Sequence, residues 1–362
     1  MRHYIYLILF FFTLTRLCAQ APADTTQHPH TVQFNGFIDT YYSYDFNKPP
    51  DHQVSAPFIY NYRRNNEFNI NIALLSASYS GDKIRAKIGL QAGTYAQYNY
   101  ASEQPLLQHI YEANAGIKVL KNMWLDAGIF ASHIGNESAA SLTNPTLTRS
   151  IMAENTPYYQ TGVKLTYDAG KKWLFCLLVL NGWQNIQETN NNKPVCTQIL
   201  YRPNKNTEVN YSTFVGNEKP DSVAKQWRYF NHFYITSHLS KKIYLSGAFD
   251  YGIQQKPNNS VHYDKWFGTS VILKYKFLPK FSASLRGEYY SDKNQVIVST
   301  NLPYGTQVLG TSLNLDFSPY PSSLIRIEGK FYDAQNKIFS TETTGVYTNQ
   351  AFITTIDFVV SF

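Results

Sequence analysis

The sequence predicts an all-β protein, a transmembrane antiparallel up-and-down β-barrel of about sixteen strands with short periplasmic turns and long extracellular loops. Three observations carry that expectation. Apolar and polar side chains alternate with a period of two along most of the chain, as strands do and helices do not. Long polar connections alternate with tight turns from one strand to the next. The chain closes on a strand whose last residue, Phe362, is aromatic.

That closing segment, 350–362, sets the pattern. Phe352, Ile356, Phe358, Val360 and Phe362 fall on one side, with Thr354 among them. Ala351, Ile353, Thr355, Asp357, Val359 and Ser361 fall on the other. A strand with lipid on one face and a wet lumen on the other has this form. An edge strand of a soluble sandwich would share it, so the rest of the chain decides. The terminal aromatic strand also resembles the signal by which outer-membrane barrels are recognised for assembly, which makes Phe362 the candidate assembly signal and the barrel-assembly machinery a partner.

Composition points the same way. The 362 residues suffice for one large barrel or two ordinary domains. Aromatic residues make up 16%, with 29 Tyr and 23 Phe, and charged residues only 16%. Tyr and Trp are favoured where one end of a side chain is wet and the other apolar, as at a membrane interface. A mean hydropathy of -0.34 is too polar for a helical membrane protein. Beyond the N-terminus no apolar run approaches the roughly 18 residues a spanning helix needs.

Residues 1–19 read as a secretory signal peptide. Arg2 and His3 give a basic start, 4–14 an apolar core, and Leu17-Cys18-Ala19 a cleavage site before Gln20. Leu17 stands where a lipidated Cys18 would need a small residue, which disfavours a lipoprotein. Removing this segment takes away Arg2 and Arg16, so the net charge of +7 falls to about +5. No Lys/Arg run suggests nucleic acid. Cys176 and Cys196 form no disulfide framework and no metal-ligand spacing, and both are expected reduced. Residues 20–32 form a polar leader. Its His28-Pro29-His30 could bind a metal weakly, but a disordered leader accounts for it better. The barrel is expected over 33–362.

The strands follow in order. Phe34, Gly36, Ile38, Thr40, Tyr42 and Tyr44 form the first outward row, against Asn35, Asp39 and Ser43. Phe68, Ile70, Ile72 and Leu74 oppose Asn69 and Asn71; Ser80-Gly81-Asp82 then turns the chain. Ile84, Ala86, Ile88 and Leu90 oppose Lys83, Arg85, Lys87 and Gln91. Tyr111, Ala113, Ala115, Ile117 and Val119 oppose Glu112, Asn114 and Lys118, and Leu125, Ala127, Ile129 and Ala131 oppose Trp124 and Asp126. Tyr159, Thr161, Val163, Leu165 and Tyr167 oppose Gln160, Lys164 and Asp168. The faces of 173–186 and 226–238 stay open, although both segments are strand-like. A weaker strand covers 195–201, with a turn at Arg202-Pro203-Asn204 before the row of Val209, Tyr211, Thr213 and Val215. Clear rows start at Ile243 and Phe267, the latter opposing Lys274 and Lys276. Phe281, Ala283, Leu285, Gly287 and Tyr289 oppose Arg286 and Glu288. Leu309, Thr311, Leu313, Leu315 and Phe317 oppose Asn314 and Asp316. Ile325, Ile327, Gly329 and Phe331 oppose Arg326, Glu328 and Lys330 before the closing strand.

About sixteen strands leave an aqueous channel, whereas roughly eight would be filled by side chains. Lys83, Arg85, Lys87, Glu112, Lys118, Arg286, Glu288, Arg326, Glu328 and Lys330 are therefore the candidate lumen-lining residues. The run of Lys83, Arg85 and Lys87 leans weakly towards anions. Wall solvation and cross-strand pairing, worth about 0.2 to 1 kcal/mol per pair, is the plainer reading of any one of them. The longest connection, 132–157, carries Ile134, Leu142, Leu147, Ile151 and Met152, which a solvated loop would not need. It is expected to fold inward and narrow the pore. His133, Glu137, Arg149 and Glu154 are its ionisable groups and the candidate constriction.

Several runs resemble the OmpL-like β-barrel porins of Gram-negative outer membranes. They are Gly36-Phe37-Ile38-Asp39-Thr40-Tyr41-Tyr42, Asn66-Glu67-Phe68-Asn69-Ile70-Asn71, Trp124-Leu125-Asp126-Ala127-Gly128, His133-Ile134-Gly135-Asn136-Glu137, Pro157-Tyr158-Tyr159-Gln160-Thr161-Gly162 and Asn181-Gly182-Trp183-Gln184. The resemblance spans the mature chain and is densest from Phe34 to Gln184. It implies a barrel and a pore but no substrate, and no catalytic residue comes with it; the expected function is an outer-membrane channel for small hydrophilic solutes or ions, with lipid around it and no cofactor or metal. Two other readings compete. A barrel enzyme needs a nucleophile, base and orienting group together near the rim; His109, His133, His232, His238 and His262 are scattered singly. A plugged structural or adhesive barrel would bind glycans or a partner protein through its long loops. A plug would normally precede the first strand, which favours the open channel.

Overall fold

A computed structural model describes residues 31–258 and 260–362. The expected signal peptide and most of the expected leader lie outside the described residues. The strands are β1 (Thr31–Asp45), β2 (Phe68–Ser80), β3 (Ile84–Ala92), β4 (Ile110–Leu120), β5 (Met123–Ala131), β6 (Tyr159–Asp168), β7 (Trp173–Leu180), β8 (Val195–Asn204), β9 (Thr207–Asn217), β10 (Trp227–His238), β11 (Ile243–Gln255), β12 (Tyr263–Leu278), β13 (Phe281–Asp292), β14 (Thr306–Phe317) and β15 (Ser323–Ala334). A small ribbon of β16 (Phe339–Ser340) and β17 (Tyr347–Thr348) precedes the closing strand β18 (Gln350–Ser361). Each of β1 to β15 pairs antiparallel with its chain neighbours, β15 pairs with β18, and β18 returns to β1, closing a sixteen-stranded barrel. Closure matters because lipid cannot satisfy an open edge; each unpaired peptide group there would cost several kcal/mol. The seam runs from Phe37↔Ser361 to Asp45↔Ile353 and is extended by the pair Gly36 N to Phe362 O at 2.6 Å and Phe362 N to Gly36 O at 2.9 Å.

Connections alternate in length around the whole barrel. Long loops occupy 46–67, 93–109, 132–158, 181–194, 218–226, 256–262, 293–305 and 335–349. Tight turns occupy 81–83, 121–122, 169–172, 205–206, 239–242, 279–280 and 318–322. The outward rows are apolar and exposed, as lipid requires: Leu273, Leu285, Leu313, Ile327 and Ile356 form one such band. Aromatic rings bracket it. At the short-turn end Trp173 stacks on Tyr201 at 4.2 Å and Phe281 on Phe317 at 4.7 Å. At the long-loop end Tyr42 lies 5.0 Å from Phe68 and Phe46 lies 5.1 Å from Phe352.

Four local expectations need correction. The register steps from Asp39↔Ile72 to Thr40↔Ile70, so Asn71 is an extra residue. A bulge flips the facing beyond it: Ile72 and Leu74 point inward and are buried, while Leu75 takes the lipid side. A second shift, from Gly89↔Glu112 to Leu90↔Ile110, leaves Tyr111 extra and packs it near Tyr95 rather than in an outward row. Tyr159, also expected outward, is buried and stacks on Tyr100 at 4.0 Å. The turn expected at 202–204 falls at 205–206, because β8 runs through Asn204.

The two open segments resolve. In β7, Trp173, Phe175, Leu177 and Val179 face out, and Cys176, Leu178 and Leu180 face in. In β10, Tyr229, Phe233 and Ile235 face out, and Arg228, Phe230, His232 and Tyr234 face in. Cys176 and Cys196 are free and buried; Cys176 lies opposite Gln198 and Cys196 opposite Leu178.

Candidate functional site

Loop 132–158 enters the barrel and crosses from one wall to another. Its first residues fasten to β6, β8 and β9. His133 Nδ1 sits 2.7 Å from Gln160 Oε1 and its Nε2 3.0 Å from the Thr213 carbonyl. The His133 carbonyl accepts from Ser212 Oγ at 2.8 Å and from Gln198 Nε2 at 3.2 Å. Asn136 Nδ2 donates to Ser246 Oγ on β11 at 2.8 Å. Burial lowers the pKa of His133 from 6.5 to about 4, outweighing the hydrogen bonds of Thr213 and Gln160. The docked ring is thus neutral.

The middle of the loop lies on β13, β14 and β15. Arg326 donates from Nη1 to the Ser141 carbonyl at 2.7 Å and from Nη2 to that of Asn144 at 3.1 Å. Asn314 Oδ1 accepts the Leu147 N–H at 3.0 Å. Glu328 Oε2 accepts the Thr148 N–H at 2.7 Å and its hydroxyl at 2.8 Å. Arg286 Nη1 reaches the Thr148 carbonyl at 2.7 Å, and its Nη2 pairs with Glu328 at 2.8 Å. Glu288 Oε2 accepts the Ile151 N–H at 2.6 Å, at the start of the short helix α1 (Ile151–Glu154). Lys330 Nζ reaches the Arg149 carbonyl at 3.3 Å. Buried charged groups are tolerated when they are paired and hydrogen-bonded, and the loop backbone supplies hydrogen bonds to all five; Arg286 Nε and Glu288 Oε1 face each other at 3.4 Å as an ion pair without a hydrogen bond.

This placement corrects the expected lumen lining. Arg286, Glu288, Arg326, Glu328 and Lys330 face inward but are covered by the loop, each at 3% exposure or less. They anchor the loop instead of facing water. Lys83 is exposed in the turn 81–83, and Lys118 is exposed near the end of β4, 5.7 Å from the centre of the Trp124 ring. The expected basic ladder is also neutralised: Arg85 Nε pairs with Asp126 at 2.6 Å and Lys87 with Glu112 at 2.9 Å. Lys164 beside them has no ion pair among the described residues and lies 4.5 Å from the centre of the Phe130 ring. Half-exposed inward side chains, Arg85, Lys87, Lys164, Arg202 and Lys274, lie towards the short-turn end.

The four candidate constriction residues are all buried within the loop and its contacts. Glu137 accepts from Ser150 N at 2.9 Å and lies 3.9 Å from Arg286. Glu154 accepts from Tyr60 N at 2.9 Å and Asn61 Nδ2 at 2.9 Å. Arg149 lies over the Tyr158 ring at 3.7 Å and donates from Nη2 to the Ala153 carbonyl. Its Nε and Nη1 have no hydrogen-bond partner among the described residues. So His133, Glu137 and Glu154 fasten the loop, and Arg149 alone of the four keeps unused donors.

A second inward loop escaped the sequence reading. Val54, Ala56, Phe58, Ile59 and Tyr62 of loop 46–67 are buried inside the barrel. Val54, Ala56, Phe58 and Ile59, with Ile151 and Met152, join a core with wall residues Leu178, Phe214, Phe230, Trp266, Tyr290 and Tyr332, while Tyr62 packs with Tyr41 and Leu147. The signal was present: 46–67 carries the same surplus of apolar residues that marks 132–157. The apolar inward row is a further departure from the expected polar lumen wall.

A closed sixteen-stranded barrel with apolar outer rows, paired aromatic girdles and an inserted third long loop is an outer-membrane channel. The chain belongs to the family described as "Putative beta-barrel porin-2, OmpL-like", whose model matches residues 31–362. Among solved structures it is similar to the outer membrane channel DcaP of Acinetobacter baumannii, with a TM-score of 0.64 at 13% identity over 92% of this chain and 98% of that one. It is also similar to an anion-selective porin from Comamonas acidovorans (TM-score 0.61, 8% identity, 92% and 100% covered) and to OmpF of Salmonella typhi in complex with daunomycin (0.60, 9%, 92% and 98%). At such identities the likeness establishes the fold. No curated protein sequence matches the chain.

Proposed function

We propose that the protein lets small hydrophilic solutes or ions diffuse across the outer membrane through a passage between loop 132–158 and the inner face of β3 to β6. The observation that carries this reading is the unequal cover of the two walls. Inward groups of β13 to β15 are sealed under the loop, whereas Arg85, Lys87 and Lys164 on the facing wall stay half exposed. Arg149 is the constriction group whose Nε and Nη1 lie buried with no hydrogen-bond partner among the described residues, so it holds its positive charge within the loop and acts on a passing solute through that charge. His133, Glu137 and Glu154 set the width by holding the loop. With two of the three basic wall groups paired, Lys164 carries the lean towards anions. In the same reading residues 1–19 are a cleaved signal peptide, the leader expected over 20–32 gives its last two residues to β1, and Phe362 is the mark read by the barrel-assembly machinery.

A second reading has its own support. The apolar core built by Val54, Ala56, Phe58, Ile59, Ile151, Met152, Ile338 and Phe339 fills space that a wide pore would leave to water. A plugged barrel that binds a glycan or protein through its outer loops would have such a core. A planar bilayer holding the detergent-purified protein separates the two. Steps of fixed size support the channel for small solutes; an inserted, heat-modifiable barrel without conductance supports the plug.

A further inference from the structure

We propose that the short-turn rim of the barrel binds the anionic headgroups of phospholipids in the periplasmic leaflet. The turn after β2 carries Lys83, that after β4 Lys121, and that after β6 Lys171 and Lys172. The turn after β8 carries Lys205, that after β10 Lys241 and Lys242, and that after β12 Lys280. Every one of these lysines is exposed, and none has an ion pair among the described residues. Lys280 spends one donor on the Pro319 carbonyl, at 2.9 Å. Asp82 is the one acid in these turns, and the nearby Asp168 accepts the Gly170 N–H at 3.0 Å.

The opposite end of the barrel has no such imbalance. There Arg64 pairs with Glu67 and Lys256 with Asp264, while Lys219 and Lys225 share loop 218–226 with Glu218 and Asp221. The excess positive charge of the chain therefore sits on one rim.

Its shape selects the partner. The lysines occupy six consecutive turns, an arc in the membrane plane, interrupted at 318–322 where Ser-Pro-Tyr-Pro-Ser carries no charge. A compact acidic protein would meet only part of such an arc, whereas a sheet of headgroups meets all of it. The aromatic belt of Trp173, Tyr201, Phe281 and Phe317 lies just inside the turns and fixes their depth at the interface. Lysines one step beyond that belt stand at phosphate level, where their ammonium groups meet an anionic surface.

The test folds the protein into vesicles of mixed phosphatidylethanolamine and phosphatidylglycerol, extracts it in mild detergent, and measures the retained headgroups by mass spectrometry. The wild type should retain phosphatidylglycerol over its share of the vesicle by on the order of fivefold. A variant with Lys171→Gln, Lys172→Gln, Lys241→Gln and Lys242→Gln should lose most of that enrichment, and high salt should weaken it. A control with Lys48→Gln and Lys225→Gln at the other end should keep it. All these side chains are exposed, so the heat-modifiable folded band should persist in each variant. Equal retention of both lipids by the wild type, or unchanged enrichment in the turn variant, would overturn the proposal. So would lysine-dependent sedimentation with purified peptidoglycan in the absence of lipid enrichment. Conductance of the same variants reads the pore separately.

Discussion

Arg326 Nη1 donates to the Ser141 carbonyl at 2.7 Å while its Nε holds Asp316 at the same distance. One guanidinium thus joins the barrel wall to the loop inside it. Arg326→Met removes the loop's donor and leaves Asp316 with Lys274 as its remaining charged partner, at 2.6 Å. Breaking a buried pair from one side costs about 3–5 kcal/mol, and Lys274 keeps the loss at the low end. The heat-modification midpoint should fall, and single-channel records should grow noisier as 141–144 loosens. Adding Asp316→Asn should lower the midpoint further rather than restore it, because Lys274 then loses its partner. An unchanged midpoint in the single variant would remove Arg326 from the anchor.

Gly128 and Gly162 oppose one another across β5 and β6, with φ of 124° and 156°. A Cβ at Gly128 would stand 2.2 Å from the Ala113 carbonyl oxygen, and one at Gly162 2.1 Å from that of Val179. Neither backbone oxygen can move without breaking the sheet. Gly128→Ala should therefore destabilise the barrel by roughly 1–3 kcal/mol, and more if the strand must shift. Urea unfolding in lipid vesicles measures it, and Ala127→Gly on the same strand serves as the ordinary comparison.

The lipid-facing half of the molecule was legible in the sequence because lipid imposes one demand on every strand. Rows such as Leu309 to Phe317 and Ile325 to Phe331 had to be apolar, and they fixed strand number, facing and loop alternation together. The inner face answers to no single solvent. Where a loop covers the wall, Phe230 or Trp266 fits as well as Arg326, so polarity alone could not tell lining from anchor. Bulges at Asn71 and Tyr111 were hidden for a related reason: one extra residue flips a row without altering its composition. Loop 46–67 was missed although Phe58 and Ile59 carried the same signal as Ile151 and Met152 in 132–158.

His133 makes loop docking depend on pH. Its docked pKa, about 4, lies below the ordinary 6.5, so the released loop binds the proton more readily than the docked one. The stabilisation is complete above pH 6.5 and is lost as the pH falls from there towards 4, by roughly 3 kcal/mol at most. Lys164 and His232 nearby add like charge and work in the same direction. Channel noise should rise over that window, and His133→Gln, which keeps an amide for Thr213 and Gln160, should flatten the pH profile.

Removing 138–144 should enlarge the conductance steps. The segment is a closed unit: Ser138 N donates to Asn144 Oδ1 at 2.8 Å, and Asn144 Nδ2 returns to the Ser138 carbonyl at 2.7 Å. Its deletion shortens the crossing while His133 and Glu154 keep their own partners at either side. Steps of unchanged size with an intact heat-modifiable band would place the narrowest point elsewhere, with loop 46–67 the next to shorten.

Charge selectivity distinguishes Lys164 from its neighbours. Lys87→Gln removes one charge but frees Glu112 from its pair, so the local charge moves from neutral to negative. Lys164→Gln removes a cation that has no ion pair among the described residues. Lys83→Gln acts from an exposed turn, where bulk salt screens it beyond about 10 Å at 0.1 M. In a salt gradient the reversal potential should therefore shift towards cations for Lys164→Gln and Lys87→Gln, and hardly at all for Lys83→Gln. The double variant Lys87→Gln/Glu112→Gln removes a balanced pair and should restore the wild-type value, whereas no change at Glu112 should rescue Lys164→Gln. A reversal potential indifferent to Lys164 would move the selective charge to Arg149, whose buried Nε and Nη1 have no hydrogen-bond partner among the described residues and which is the next side chain to neutralise.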